Sequence, residues 1–264
     1  MLFEDYTARF AEHAKFAQVR PFAHVVEGGR QYPLLRAETP GARRLLITAG
    51  FHGVETAGPL TLLAHFAEIA AYAAAHDVGL TVYPCLNPSG FEDATRYNRS
   101  GEHPNNDLLR YELTPGQWVG ELVAGQTFLR TDVFREGPKE TRALVAELEA
   151  QPTPHAALDI HQDPYIKQPL SYAYNFGDNA IYRPLVAKTD RLLAVTRNAQ
   201  VDDDVHTDAD GLIQLHDGSV TDYFHRRQVP FTVALETTTS AALPVCHAVN
   251  LIWIRGFVDL AARG

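Results

Sequence analysis

The fold class is determined by residues 44–75, RLLITAGFHGVETAGPLTLLAHFAEIAAYAAA. Residues 44–49 form a short apolar run that ends at Gly50, which is typical of a buried strand followed by a turn. The stretch from Ala57 to Ala75 is helix-like in pattern and length. Strand, loop and helix in this order predict one unit of an α/β fold, in which the loops after the strands carry the ligands.

Similar patterns recur along the chain. Further strands are predicted at residues 80–86, 156–160 and 231–236, and further helices at 138–150, 179–198, 219–228 and 246–262. Residues 91–137 are polar and weakly periodic, which favours long loops with short strands. The alternation predicts an α/β fold with a mixed, largely parallel sheet and helices on both faces. No linker or repeat divides the chain, so we expect a single domain over residues 1–264.

Charge, apolar stretches and cysteine content indicate which partners and which location to expect. The 264 residues carry a formal net charge of −9, which disfavours binding to nucleic acid or to an anionic membrane. Residues 1–20 lack the apolar core of an export signal, and His65 and Glu68 interrupt the apolar stretch 59–75, so no membrane span is expected there. Cys85 and Cys246 lie outside any paired motif, which favours reduced thiols and a cytoplasmic location. The oligomeric state stays open.

Three residues form a candidate metal site. His52 and Glu55 are three residues apart in FHGVE, and His161 follows an apolar strand in LDIHQD. Two His and one Glu form a known catalytic zinc arrangement, which leaves a coordination position for water. Asp159 and Asp163 could orient an imidazole. A His-x-x-Glu pair alone equally describes a helix start with an exposed Glu, so the prediction of one zinc ion depends on His161.

Two further residue types would complete a hydrolytic site. Glu236 ends the strand FTVALE and could take a proton from metal-bound water and pass it to a leaving amine. A structural Glu in an ion pair is the alternative interpretation. A developing oxyanion needs a fixed cation, and TRYNRSG offers Arg96 and Arg99. Composition does not choose between these two arginines.

The order of these motifs resembles that of the zinc carboxypeptidase family, the funnelin-type metallocarboxypeptidases, over most of residues 44–240. That family is related to succinylglutamate desuccinylase and aspartoacylase. The resemblance rests on FHGVE, NPSG (87–90), LDIHQD and GSVTDYFHRRQVPFTVALETT. It implies a zinc carboxypeptidase-like fold and zinc-dependent hydrolysis of an amide bond near a free carboxylate in a small peptide.

The resemblance also implies residue roles. Arg96 would polarise the scissile carbonyl, Asn98 would contact the substrate, and Arg110 would bind a substrate carboxylate. Leu109 departs from the family pattern because an Asn usually stands there, and Ile213 replaces a substrate-contacting Tyr. The segment EHPNN, residues 102–106, looks inserted.

These departures leave other functions open. An N-acyl amino acid deacylase is the close alternative, since it also cleaves an amide next to a carboxylate. A non-catalytic metal-binding domain is the third. The acidic segment DDDVHTDADG, residues 202–211, lacks the spacing and the terminal Glu of an EF-hand loop, so we interpret it as a solvated surface turn.

Overall fold

The computed structural model describes residues 1–105, 107–123 and 125–263 of the chain. Within these ranges the α-helices are α1 (Phe3–Ala11), α2 (Ala57–Ala75), α3 (Pro88–Asp93), α4 (Lys139–Glu149), α5 (Arg183–Thr189), α6 (Val220–Arg226) and α7 (Leu243–Arg263). The strands are β1 (Gln18–Glu27), β2 (Arg30–Glu38), β3 (Arg43–Ala49), β4 (Val78–Tyr83), β5 (Leu109–Thr114), β6 (Gln117–Val119), β7 (Arg130–Val133), β8 (Ala156–Asp163), β9 (Ser171–Phe176), β10 (Gln200–Asp202), β11 (Val205–His206), β12 (Leu212–Ile213) and β13 (Phe231–Thr238).

A central sheet of eight strands organises the molecule, in the order β1-β2-β4-β3-β8-β13-β9-β12. The strands β4, β3, β8 and β13 at its centre are mutually parallel, and β12 is parallel to β9. The pairs β1–β2, β2–β4 and β9–β13 are antiparallel. The predicted mixed α/β architecture is therefore confirmed, with its parallel strands in the middle.

Alternation along the central strands separates two apolar layers. Leu45 and Ile47 pack on one face in a cluster with α2 and α7, whereas Leu46 faces the other side with α4 and α6. Period-two alternation sends neighbouring side chains to opposite faces, so a buried strand must be apolar on both. The free thiols of Cys85 and Cys246 are both buried.

Helix α7 is long and apolar enough, by length and composition alone, to cross a membrane. Its most apolar window has a mean hydropathy of 1.3, and 56% of that window is buried inside the structure. The helix packs against α2 and against strands β3, β8 and β13. These contacts account for its apolar face, as they do for a core helix of a globular protein.

The structure corrects several predicted boundaries. The helix predicted at 179–198 is a 3-10 turn (Asn179–Ile181) followed by the short helix α5, and the chain then turns where Asp190 Oδ1 accepts the backbone N–H of Val195. Strands β8 and β13 continue past their predicted ends because Asp163 still pairs with Thr238. The β1–β2 hairpin was not predicted.

Candidate metal centre

Sheet register brings the predicted site residues together. Strand β3 leads into the loop that carries His52 and Glu55, and its neighbour β8 carries His161. On the other side of β8, Glu236 of β13 pairs directly with His161. The site therefore lies where the carboxyl ends of three adjacent parallel strands meet, the usual ligand position in open α/β sheets.

The loop after β3 is held in place by close backbone packing. Gly50 has φ of +69°, a left-handed conformation that favours glycine. A Cβ on Gly53 would lie 1.8 Å from the carbonyl carbon of Gly90, so only glycine allows this approach. Asn87 Nδ2 donates to the carbonyls of Phe51 at 3.1 Å and Arg96 at 3.2 Å. The NPSG segment thus joins the His52 loop to the Arg96 loop.

Glu55 lies between the two imidazoles. Its Oε1 is 2.6 Å from His52 Nδ1, and its Oε2 is 2.8 Å from His161 Nδ1. All three side chains are buried, and one ligand atom from each lies within 4.8 Å of the others. Two imidazole nitrogens and a carboxylate that converge in this way match the donor set of an open zinc site.

Burial and the neighbouring charges act against each other on the pKa values of the three groups. Burial would raise the pKa of Glu55, but the two neighbouring imidazoles lower it well below its usual value. Burial lowers the pKa of His52. Burial also opposes protonation of His161, yet the Asp159 and Glu55 carboxylates outweigh it and raise its pKa. A buried, ionised carboxylate flanked by two imidazole nitrogens suits a cation at their centre.

Asp159 forms a hydrogen bond with the imidazole of His161. Its Oδ2 accepts from His161 Nε2 at 2.7 Å, while its Oδ1 accepts from the Thr48 hydroxyl at 2.8 Å. The two residues are neighbours on one face of β8, because they are two positions apart. Asp163 has another role, since it accepts from the backbone of Tyr165 and from the hydroxyl of Tyr172.

We expect Asp159→Asn to lower zinc affinity by ~10–100-fold, because the carboxylate no longer fixes the His161 tautomer or increases its basicity. Competition with a chromophoric chelator measures this change. Asp163→Asn is the matched control, since Asp163 makes no hydrogen bond to His161 in the described structure, and its zinc affinity should stay at the wild-type value. Equal losses in both variants would contradict the role of Asp159.

His103 is a site residue that the sequence analysis missed. Its Nε2 lies 2.9 Å from His52 Nε2 and accepts from Arg96 Nε at 3.1 Å, and its ring stacks on His52 with centroids 4.8 Å apart. Burial, followed by the charges of His52 and Arg96, lowers the pKa of His103 to about 4. It is therefore a neutral acceptor. It belongs to the segment 102–106, of which Asn106 lies outside the described residues.

The structure distinguishes the two candidate arginines. Arg96 Nη1 donates to Glu55 Oε1 at 3.1 Å, and its side chain lines the cleft. Arg99 instead pairs with Asp93 of α3 and donates to the hydroxyl of Tyr32. Of these two arginines, Arg96 is the one that lines the same cleft as His52 and His161.

Glu236 faces the same cleft. Its Oε2 is buried and has no hydrogen-bond partner among the described residues. Burial raises the pKa of this carboxyl well above its usual value; the charge of His161 opposes the rise, and those of Glu55 and Asp163 add to it. A buried carboxylate oxygen without a partner costs free energy unless a ligand, water or ion completes its coordination.

Two predicted substrate-binding residues lie elsewhere. The guanidinium of Arg110 stacks on Phe134 at 3.9 Å and donates to Asp107 at 3.0 Å, in a groove of about 500 Å³ beside Trp118. Strand β5 belongs to a separate small sheet, and because Leu109 faces a buried cluster, Arg110 points the opposite way. Arg110 therefore lies outside the cleft beside the candidate ligands, and its role in binding a substrate carboxylate stays a prediction.

The side chain of Asn98 also forms hydrogen bonds within the protein. Its Nδ2 donates to Glu102 at 2.8 Å and to Glu140 at 2.9 Å, and the residue is buried. The departures at Leu109 and Ile213 are both buried as well, and neither is among the described residues that line the cleft. None of these three positions is among the described residues that line the cleft, and the predicted substrate contact of Asn98 stays a prediction.

The cleft beside the candidate ligands has a volume of about 240 Å³ and continues into a smaller cavity of about 70 Å³. Both are lined by His52, Arg96, Tyr174, Asp202 and Glu236. Two wider grooves, including one of about 550 Å³ near the start of β1, lie away from the candidate ligands. The acidic segment predicted as a solvated turn therefore contributes to the wall of the cleft.

Solved structures with the same architecture are numerous, although their sequences differ widely. A candidate metallopeptidase from Shewanella denitrificans superposes with a TM-score of 0.74 at 20% identity, covering 98% of this chain and 90% of that one. A metallo-carboxypeptidase from Burkholderia cenocepacia gives 0.67 at 14% identity, with 97% and 68% covered. Bovine thrombin-activatable fibrinolysis inhibitor gives 0.66 at 11% identity, with 99% and 95% covered.

The chain thus has a zinc carboxypeptidase-like fold, as the resemblance implied. Comparison with protein-family models gives no match, and neither does comparison with curated protein sequences.

Proposed function

We propose that this chain is a zinc-dependent hydrolase that cleaves an amide bond in a small peptide. The observation that carries the proposal is the convergence of the His52, Glu55 and His161 ligand atoms beside Glu236, whose Oε2 has no hydrogen-bond partner among the described residues. The metallopeptidase and carboxypeptidase names of the structural neighbours support it. A carboxylate clamp at Arg110 is not part of the proposal, because Arg110 lies in another groove.

The candidate ligands, Glu236 and Arg96 would each have a different role in the hydrolysis. A zinc ion held by His52, Glu55 and His161 would polarise the scissile carbonyl and lower the pKa of water. Glu236 would take a proton from the attacking water and return it to the leaving nitrogen, a task that suits a carboxyl whose pKa is raised by burial. Arg96, fixed by Glu55 and His103, would donate to the developing oxyanion.

Charge at the cleft does not separate a peptide from an N-acyl amino acid, because either substrate can carry a carboxylate close to the scissile amide. The cleft presents Glu121, Asp202, Asp203 and Asp217 in addition to Glu236, and these would repel such a group in both classes. A non-catalytic metal-binding domain would have no use for a buried carboxylate oxygen beside the ligand set that lacks a hydrogen-bond partner among the described residues.

The proposal is tested with purified protein, after metal removal and again after zinc addition, on a panel of short peptides and N-acyl amino acids. We expect peptide hydrolysis that a chelator abolishes and zinc restores. Turnover confined to N-acyl amino acids would assign the deacylase function instead. No turnover of either class by protein with one bound zinc would assign the non-catalytic domain.

A further inference from the structure

His103 contacts two residues of the candidate metal centre through one ring nitrogen. Its Nε2 lies 3.1 Å from Arg96 Nε and 2.9 Å from His52 Nε2. A guanidinium has N–H donors and no acceptor, so in the first contact Arg96 donates and His103 Nε2 accepts. A ring nitrogen that accepts a hydrogen bond carries no proton. Neutral His103 therefore carries its proton on Nδ1.

The same nitrogen determines the tautomer of His52. Two nitrogen lone pairs cannot form a hydrogen bond, so His52 Nε2 supplies the proton in the second contact. An imidazole that binds a metal is neutral, and His52 is then unprotonated at Nδ1, the nitrogen that lies 2.6 Å from Glu55 Oε1. A lone pair and a carboxylate oxygen repel each other at this distance unless a cation lies between them. The contact with His103 thus leaves the ligand nitrogen of His52 free on the side of the candidate ion.

The backbone next to His103 is fixed by Asn98. The backbone N–H of Asn98 donates to the carbonyl of Glu102 at 3.1 Å, and its Oδ1 accepts from the backbone N–H of Glu102 at 2.9 Å. Its Nδ2 donates to Glu102 Oε2 at 2.8 Å and to Glu140 Oε2 at 2.9 Å, and Glu140 is buried. The residue before His103 is therefore held by three hydrogen bonds from one side chain and its backbone, which keeps the His103 ring at hydrogen-bond distance from His52.

We propose that His103 is a positioning residue that couples the metal ligand His52 to the oxyanion donor Arg96. The inference rests on the proposed function and deepens it. The family motifs assign no role to this position, since His103 lies in the segment 102–106 that looks inserted. By accepting from both residues, His103 Nε2 fixes the tautomer and ring orientation of His52 and holds the Arg96 guanidinium at the cleft. Loss of this one acceptor should weaken zinc binding and also release Arg96.

Nitrogen-15 NMR of histidine-labelled wild-type protein tests the tautomers directly, with and without zinc. The His103 resonances are assigned from their loss in the His103→Gln spectrum. We expect His103 to be protonated at Nδ1 and free at Nε2 in both samples, and His52 to be protonated at Nε2 in the zinc-loaded sample. A proton on His103 Nε2 would overturn the inference, because that nitrogen could then accept from neither neighbour.

Two substitutions of His103 separate its acceptor nitrogen from the space that its ring fills. His103→Phe keeps a planar ring without an acceptor and should lower zinc affinity by ~10–100-fold in competition with a chelator. His103→Gln should stay near the wild-type affinity, because its amide oxygen can accept in place of Nε2. His24→Phe is the control, since His24 is exposed on β1 and is not among the described residues lining the cleft. Wild-type affinity in His103→Phe, or equal losses in both His103 variants, would contradict the role of the acceptor.

The coupling to Arg96 is measured by kinetics at saturating zinc. His103→Phe should lower kcat by about tenfold with little change in KM, less than the ~10²–10³-fold that loss of an oxyanion donor costs, because Arg96 keeps its hydrogen bond to Glu55. His103→Gln should recover most of kcat. Wild-type kcat in His103→Phe at full zinc occupancy would refute the coupling. Absence of turnover in the wild-type protein would count against the proposed function alone, since the tautomers and zinc affinities are measured without turnover.

Discussion

Replacing Glu236 with Gln is expected to lower kcat for peptide hydrolysis by ~10²–10⁴-fold while one zinc ion stays bound, because an amide of the same shape cannot accept the proton. Glu236 lies on β13 beside His161 of β8, and one of its carboxylate oxygens has no partner among the described residues. The substitution removes the base and leaves the three candidate ligands unchanged. We therefore expect the substitution to lower kcat and to leave the amount of bound zinc unchanged.

Steady-state kinetics and metal analysis of the same preparation measure both quantities. Glu68→Gln makes the same chemical change at an exposed position of α2 that is not among the described residues lining the cleft, and should behave as wild type. Retention of more than about a tenth of wild-type kcat in Glu236→Gln would exclude Glu236 as the base, because general-base catalysis contributes far more than that.

The elements whose formation depends on the local pattern of apolar residues could be predicted from the sequence. The apolar run and Gly50 define β3, and the helix predicted from Ala57 to Ala75 has those bounds in the structure. The juxtaposition of His52 and His161 follows from parallel strands that meet at one edge of the sheet. Local periodicity was informative here because the central strands are buried on both faces, so that their sequences are continuous apolar runs.

The parts that depend on distant packing were not predictable. Arg110 follows the order of the family motif, yet its direction is set by β5, which pairs with β6 and β7 in a separate small sheet. His103 lies in an irregular segment without periodicity, so nothing local indicates that its ring stacks on His52. In the sequence Asp202 resembles any other surface acid, and only the fold shows that it lines the same cleft as Tyr174 of β9.

Glu55→Gln is expected to lower zinc affinity by more than about 1000-fold, beyond the 10–100-fold that loss of a supporting hydrogen bond costs. Both carboxylate oxygens are used fully: Oε1 faces His52 and accepts from Arg96, and Oε2 faces His161 and accepts from the backbone N–H of Gln162. An amide offers one acceptor oxygen, so its NH₂ group would face a donor on one side. Competition with a chelator of known affinity measures the loss.

The two glutamate variants should differ in their response to zinc, which separates a ligand from a base. Excess zinc raises the occupied fraction of Glu55→Gln and should restore part of its activity, since Glu236 and Arg96 remain in the cleft. The same addition should not change Glu236→Gln, whose site is already filled. Wild-type zinc affinity in Glu55→Gln would remove Glu55 from the ligand set, and with it the reason for Glu55 to lie buried between two imidazoles.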